Sequence, residues 1–330
     1  MTSLPPSSLP PSPLPPSGSS TPVPRVSIGV PVYNGERYLA DTLDQLLAQT
    51  FTDLEVVVSD NASTDATAAI LDAYAARDPR VRVIHQPRNL GAAPNYNEVF
   101  RLARAPLFAW HAHDDGVAPG WLAALVAALD ARPDAVLAHP WATVVDDDGA
   151  FIRDFDDVLG ADRPTPHARL GNVVRHLDRD VLAVFGLIRR DALARTGLIR
   201  PYQASDLSLL YDLAVLGPFV EVPERLFVKR RHAGRSTAAN RKRGDMARWF
   251  DTTNRSGVRL LGWKLYRVQV AWIARCPDFT PMSRVRCVIV FSVTFPRTWA
   301  SKTYRALRRR RHDRRRRDAV VTSSEGTTHP

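Results

Sequence analysis

Two adjacent carboxylates, Asp114 and Asp115, end the apolar run Leu107 to Trp110 and stand directly before Gly116. A helical pattern follows, with Pro119 near its first turn and Trp121, Leu122, Leu125 and Leu129 along one side. A buried strand that ends in acids before a helix puts those acids at the carboxyl edge of a sheet. In open α/β sheets that edge is where ligands bind. Neighbouring acids repel, so folding alone gives little reason for the pair. A divalent cation bridging to a diphosphate gives one, because hard oxygen ligands suit Mg²⁺ or Mn²⁺. The competing reading is a solvated Asp-Asp-Gly turn. A second acid cluster, Asp146 to Asp148 before Gly149, lies between short apolar runs and reads as a solvated hairpin turn. Asp206 opens a helical pattern carrying Leu207, Leu210, Leu213 and Leu216, where the helix dipole alone would favour a carboxylate.

The elements that must position these groups follow from periodicity. Val26–Val32, Leu54–Ser59, Val81–Ile84 and the run to Trp110 read as four strands. Between them lie helical patterns over Leu39–Leu47, around Ile70, Leu71 and Tyr74, and over Asn95–Ala103. Ser63 or Thr64 is the expected cap of the second helix. Alternating β and α implies a doubly wound, mostly parallel α/β sheet with right-handed crossovers. Four strand ends then converge on one edge, bringing Tyr33 and Asn34, Asp60 and Asn61, Arg88 and Asn89, and the acid pair. Singly these are turns and caps; together they form a polar rim with one aromatic face, suited to a nucleotide. No G-x-G-x-x-G follows the first strand, and no G-x-x-x-x-G-K-[ST] occurs, which argues against dinucleotide and P-loop sites. Further strands are expected at Val136–His139, Trp141–Val145, Val181–Ile188 and Phe219–Val228, with a helix over Leu170–Leu177.

Val30-Pro-Val-Tyr-Asn-Gly35, Ser59-Asp-Asn-Ala-Ser-Thr-Asp65, Arg88-Asn-Leu-Gly91 and His113-Asp-Asp115 resemble, in this order and spacing, the family 2 glycosyltransferases of the GT-A fold. The resemblance covers roughly residues 25–235. It implies that Pro31, Tyr33 and Asp60 hold a nucleotide base, with Asn61, Arg88, Asn89 and Gly91 around it. It assigns Asp115 to a divalent cation and Asp114 to ribose or donor sugar, with His113 standing where the family has an acid. Asp206 falls at the position of a catalytic base, and Ser205 replaces the usual preceding Glu. The basic segment Lys229–Ser236 matches one that closes over the donor diphosphate. His232 there is a candidate metal ligand, and Arg230, Arg231 and Arg235 are candidate diphosphate contacts, since guanidinium groups pair well with phosphate oxygens. The implied activity is inverting transfer from a nucleotide-diphosphate sugar to a glycan or lipid-linked hydroxyl, assisted by Mg²⁺ or Mn²⁺. A nucleotidyltransferase acting on a sugar phosphate is the enzymatic alternative.

Composition bounds the rest. The net charge of +11 is concentrated late, because Ser301–Arg317 carries ten Lys/Arg against one Asp. An Arg-rich run without interleaved aromatics supports non-specific phosphate contact, so a nucleic-acid-binding protein is the alternative from another class, without specific recognition. Residues 1–24 hold nine prolines and lack the apolar core of a secretory signal, so this segment is expected to be disordered and the protein not secreted. Two cysteines, Cys276 and Cys287, give no metal-ligand spacing. Val258–Arg275 reads as a basic amphipathic helix and Met282–Phe295 as a second apolar stretch too short to span a bilayer. These two helices, within a region 236–304, either pack on the catalytic domain or, with an Arg-rich disordered tail over 305–330, attach to an anionic membrane surface. The expected location is cytoplasmic, at the inner face of the membrane where attachment holds.

Overall fold

The computed structural model describes residues 22–176, 181–232, 249–250, 261–277 and 279–301. Strand β1 (Val26–Val32) pairs in parallel with β2 (Leu54–Asp60) on one side and β4 (Leu107–Trp110) on the other, and β2 pairs in parallel with β3 (Val81–His85). The order β3-β2-β1-β4 reverses direction at β1, which makes the crevice outside β1 and β4 the topological switch point.

Both faces of this half-sheet are apolar and covered. Val26, Ile28, Val30, Val56, Val58, Leu107 and Ala109 pack with Leu39, Leu43 and Leu46 of α1 (Leu39–Leu47), with Leu71 of α2 (Thr67–Arg77), and with Leu122 and Leu125 of α4 (Trp121–Ala131). The alternate positions Val57, Phe108 and Trp110 face Val99 and Phe100 of α3 (Ala92–Leu102). Strands buried on both faces read as continuous apolar runs, which is how they were legible.

The sheet continues through β8 (Leu187–Arg189), β6 (Leu137–Val145), β9 (Phe219–Arg230) and β5 (Gly116–Val117), with β7 (Phe151–Phe155) paired to β6. Three local expectations change. The apolar run Val181–Ile188 is a 3₁₀ turn, Leu182–Phe185, leading into β8, a three-residue strand wedged antiparallel between β4 and β6. Leu137–Val145 is one strand instead of two, with its register against β9 shifting beside Pro140, which has no N–H to give the ladder. The second helix is not capped by Ser63 or Thr64: Asp65 Oδ1 accepts from Thr67 N at 3.0 Å, while Ser63 Oγ accepts from Asn34 N at 2.9 Å and ties two rim loops together. The sequence Asp146–Gly149 does form the β6–β7 turn, with Gly149 N donating to Asp146 O.

Helices α5 (Pro166–His176) and α7 (Ser205–Leu216) cover the face that carries α3, while the short α6 (Arg190–Ala194) follows β8. Against them pack α8 (Leu261–Arg275) and a helix over residues 281–301. Leu265, Ile273, Cys287, Phe291 and Phe295 belong to the same core as Leu209, Leu210 and Tyr211 of α7. Gln269 Nε2 donates to the buried Asp212 at 2.8 Å, so a polar clamp also holds α8 to α7. Both C-terminal helices thus have one face packed on the sheet domain. Cys276 and Cys287 are both buried. The Pro-rich segment through residue 21, Arg235 and the Arg-rich tail lie outside the described residues.

Candidate active site

The rim begins where β1 runs into Tyr33-Asn34-Gly35. A Cβ on Gly35 would stand 2.8 Å from His113 Cδ2, so glycine lets this turn close against the acid-pair loop. Pro31 is buried within β1, and Tyr33 is 43% exposed. Asp60 ends β2, where Oδ1 accepts from Ser63 N at 3.0 Å and Oδ2 meets His85 Nδ1 at 3.1 Å. The hydrogen bond to Asp60, reinforced by Asp72, raises the His85 pKa above the usual imidazole value.

Asn61 Oδ1 accepts from Leu90 N at 2.8 Å, and its Nδ2 donates to Asn89 Oδ1 at 3.1 Å and Gly91 O at 3.3 Å. Asn89 Oδ1 also accepts from Gly91 N at 2.8 Å, and Gly91 takes φ 88°, a left-handed value natural to glycine. Asn61, Asn89 and Gly91 therefore spend their polar groups on the loop itself. That loop presents the exposed Arg88.

The acid pair splits into two environments. Asp115 is 2% exposed, and both its oxygens are taken: Lys229 Nζ donates to Oδ2 at 2.9 Å and Arg230 N to Oδ1 at 3.1 Å. Asp114 Oδ2 instead meets His232 Nε2 at 2.8 Å. Burial works against ionisation of Asp114, but the His232 hydrogen bond and the charges of His113, Lys229 and His232 outweigh it and hold this carboxyl well below the usual range. Asp115 is the weaker acid of the two, raised first by burial and further by Asp114. Burial lowers the His113 pKa below the usual imidazole value.

Among the described residues, no three or more His, Cys, Asp or Glu side chains gather as a metal cluster. Asp114 and His232 alone supply a carboxylate and an imidazole. That set fits Mg²⁺ or Mn²⁺ when the cation's other positions are filled by phosphate oxygens and water.

The β6–β7 turn reaches this centre. The His232 ring lies 4.7 Å from that of Tyr38, whose hydroxyl donates to Asp147. Arg37 pairs with Asp147 at 3.0 Å, and Arg230 donates to the Asp147 carbonyl at 3.2 Å while its guanidinium lies over the Tyr38 ring. Asp147 is thus a partly exposed turn residue that also touches the site wall.

Asp206 sits in the first turn of α7, behind Ala204 in the left-handed region. Its Oδ1 accepts from Leu207 N at 2.9 Å, and burial raises its pKa above the carboxylate norm. The phenol of Tyr96 in α3 is pushed up first by burial and then by the charges of Asp114, Asp115 and Asp206.

Sequence reasoning missed Lys229, Tyr38, Tyr96 and His85 as parts of this site. Lys229 had a signal: it follows the buried Phe227 by two positions, and side chains two apart on a strand share a face. Arg231 donates its N–H to Val145 O at 2.8 Å and stays beside β6.

A parallel half-sheet of order 3-2-1-4 with acids beside the switch point, and a partly exposed carboxylate opening α7, define an α/β protein with a candidate ligand site at the strand ends. The chain belongs to Glycosyl transferase family 2, whose family model matches residues 27–197. It is a glycosyltransferase. It is 24% identical over 218 residues to glycosyltransferase GlyG of Streptococcus pneumoniae, covering 63% of this chain and 71% of that protein. It is 31% identical over 204 residues to the uncharacterized protein Rv1520 of Mycobacterium tuberculosis, covering 61% of this chain but 57% of that one. The crystal structure of Staphylococcus aureus TarS residues 1–349 in complex with UDP-GlcNAc superimposes with a TM-score of 0.59 at 17% identity, over 80% of this chain and 70% of that chain. This likeness establishes the GT-A type of α/β fold.

Proposed function

We propose that the protein is an inverting glycosyltransferase that moves a sugar from a nucleoside-diphosphate sugar to a hydroxyl of a glycan or lipid-linked acceptor. Nucleotide sugars are the donor class bound by TarS. The observation that carries the reading is the 2.8 Å contact of Asp114 with His232 beside the switch point, together with Asp206 in the first turn of α7. Tyr33, Pro31 and Asp60 border the base. Asn61, Asn89 and Gly91 shape the loop that carries Arg88, and Arg230, Arg231 and Arg235 are diphosphate contacts.

Asp114 and His232 would hold the divalent cation, since both oxygens of Asp115 accept from Lys229 and Arg230 while Asp114 meets His232 through Oδ2 alone. Mg²⁺ or Mn²⁺ held there would offset charge on the leaving diphosphate. Asp206 accepts the proton of the acceptor hydroxyl as that oxygen attacks the anomeric carbon from the face opposite the leaving group, and the configuration inverts. A raised carboxyl pKa makes it a stronger base than an exposed aspartate.

The test is a panel of nucleotide sugars with Mn²⁺, reading released nucleoside diphosphate and the anomeric configuration of the product by NMR. Asp206→Asn is expected to lower transfer by roughly 10²–10⁴-fold with donor affinity kept. Because the base must be deprotonated and its pKa is raised, wild-type kcat/KM falls on acidification at a pH above the ordinary carboxylate range. Release of pyrophosphate would indicate a nucleotidyltransferase, and a retained anomer would remove the single-displacement route.

A further inference from the structure

The helix over residues 281–301 is apolar on two opposite faces. One face, with Cys287, Phe291 and Phe295, is buried against the catalytic domain, where Phe291 lies 5.5 Å from the Tyr211 ring of α7. The other face carries Met282, Val285, Ile289 and Val293, which are 60%, 53%, 56% and 48% exposed. Their spacing of three and four residues sets them in one stripe along the helix axis. A helix that only needed to pack on a domain would carry polar residues there.

The surroundings of the stripe indicate what it meets. Arg286 and Arg297 are exposed along its border, and residues 281–301 contain no acid. The sequence then runs straight into Ser301–Arg317, with ten Lys/Arg against one Asp. On α8, Trp263 is 56% exposed, and its neighbour Gly262 abuts Trp299 near the far end of the stripe. An apolar strip bordered by arginine and tryptophan is the composition of a helix lying in a lipid headgroup layer. A protein partner would have to be acidic around a flat apolar strip. No helix among the described residues is long and apolar enough to cross a membrane, so the helix lies along the surface.

We propose that the Met282–Val293 face docks on an anionic bilayer surface, seating the stripe at the acyl boundary and the flanking arginines among anionic headgroups. This places the interface on the helix over 281–301. The sequence offered both Val258–Arg275 and Met282–Phe295 for such attachment; on α8, Leu265, Gln269 and Ile273 are buried.

The test is flotation of the full chain with vesicles of phosphatidylglycerol and phosphatidylcholine, or of phosphatidylcholine alone, at low and high salt. The expected result is binding to the anionic vesicles at low salt and its loss at high salt. The double variant Val285→Ser/Ile289→Ser lowers the partition coefficient about tenfold or more, since both side chains leave the acyl boundary. These side chains are exposed, so circular dichroism of the variant stays native. Equal binding to both vesicle types, no binding, or flotation unchanged by the double variant would overturn the proposal. So would a wild-type dimer in light scattering that the double variant turns into a monomer, because the face would then belong to a second copy. None of these readouts depends on sugar transfer.

Discussion

At the residue scale, two neighbouring aspartates of identical chemistry stand in different environments. Asp115 is a buried anion whose partners are the Lys229 ammonium and the Arg230 N–H, while Asp114 faces His232. Breaking a buried ion pair from one side leaves the other charge without its partner, at a cost of about 3–5 kcal/mol. Lys229→Met is therefore expected to lower the unfolding free energy by about 3 kcal/mol, read from urea denaturation. Asp115→Asn should act in the same direction. Asp114→Ala is expected to destabilise as well, because its carboxyl is held low by His232 and the neighbouring charges, and to abolish metal-dependent binding of nucleoside diphosphate in calorimetry. If Asp115→Asn lost metal-dependent binding without losing stability, the cation role would return to Asp115. The resemblance located the pair; the contact that tells its members apart spans more than a hundred residues of sequence.

At the element scale, the β6–β7 hairpin is the piece whose role changes most. Its turn has the composition of a solvated loop, and its backbone is indeed a turn. Yet the hairpin's register against β9 places Asp147 beside Tyr38, Arg37 and Arg230, and Tyr38 in turn supports the His232 ring. Sequence spacing alone would have Asp147→Ala change little. The structure leads us to expect a donor KM raised by about threefold to tenfold, with kcat within about twofold, because the wall around His232 loosens and Asp206 is untouched. Steady-state kinetics on the substituted enzyme decides between the two. A KM equal to wild type would return Asp147 to a plain turn residue.

At the scale of the whole molecule, the C-terminal helices and the sheet share one core. Phe291 and Phe295 pack on Tyr211, Tyr266 stacks on Phe291, and Gln269 reaches Asp212. Phe291→Ala is expected to cost about 3–5 kcal/mol. Calorimetry should still show a single transition, since the helices have no separate core in which to unfold. Two transitions, with only one of them shifted, would show that the region after residue 236 folds as its own unit.

The sequence by itself determined the half of the molecule built from local repetition. Continuous apolar runs could only be strands buried on both faces, and the 3.6-residue patterns between them had to cross over, so the order of β1 to β4 and the convergence of Tyr33, Asp60, Arg88 and Asp114 on one edge followed. Asp206 was legible for a similar reason, as a carboxylate opening a long apolar helix. Only the tertiary structure decided which of two equal acids meets His232, and that Asp147 touches the site wall. It also showed Asn61 and Asn89 building a loop instead of presenting free amides. Those choices depend on pairing between β6, β9 and the loop after β4, whose residues are far apart in the chain. Periodicity fixes which face of an element is apolar, but hydrogen-bond partners across such separations are set by register and packing, and neither leaves a local trace.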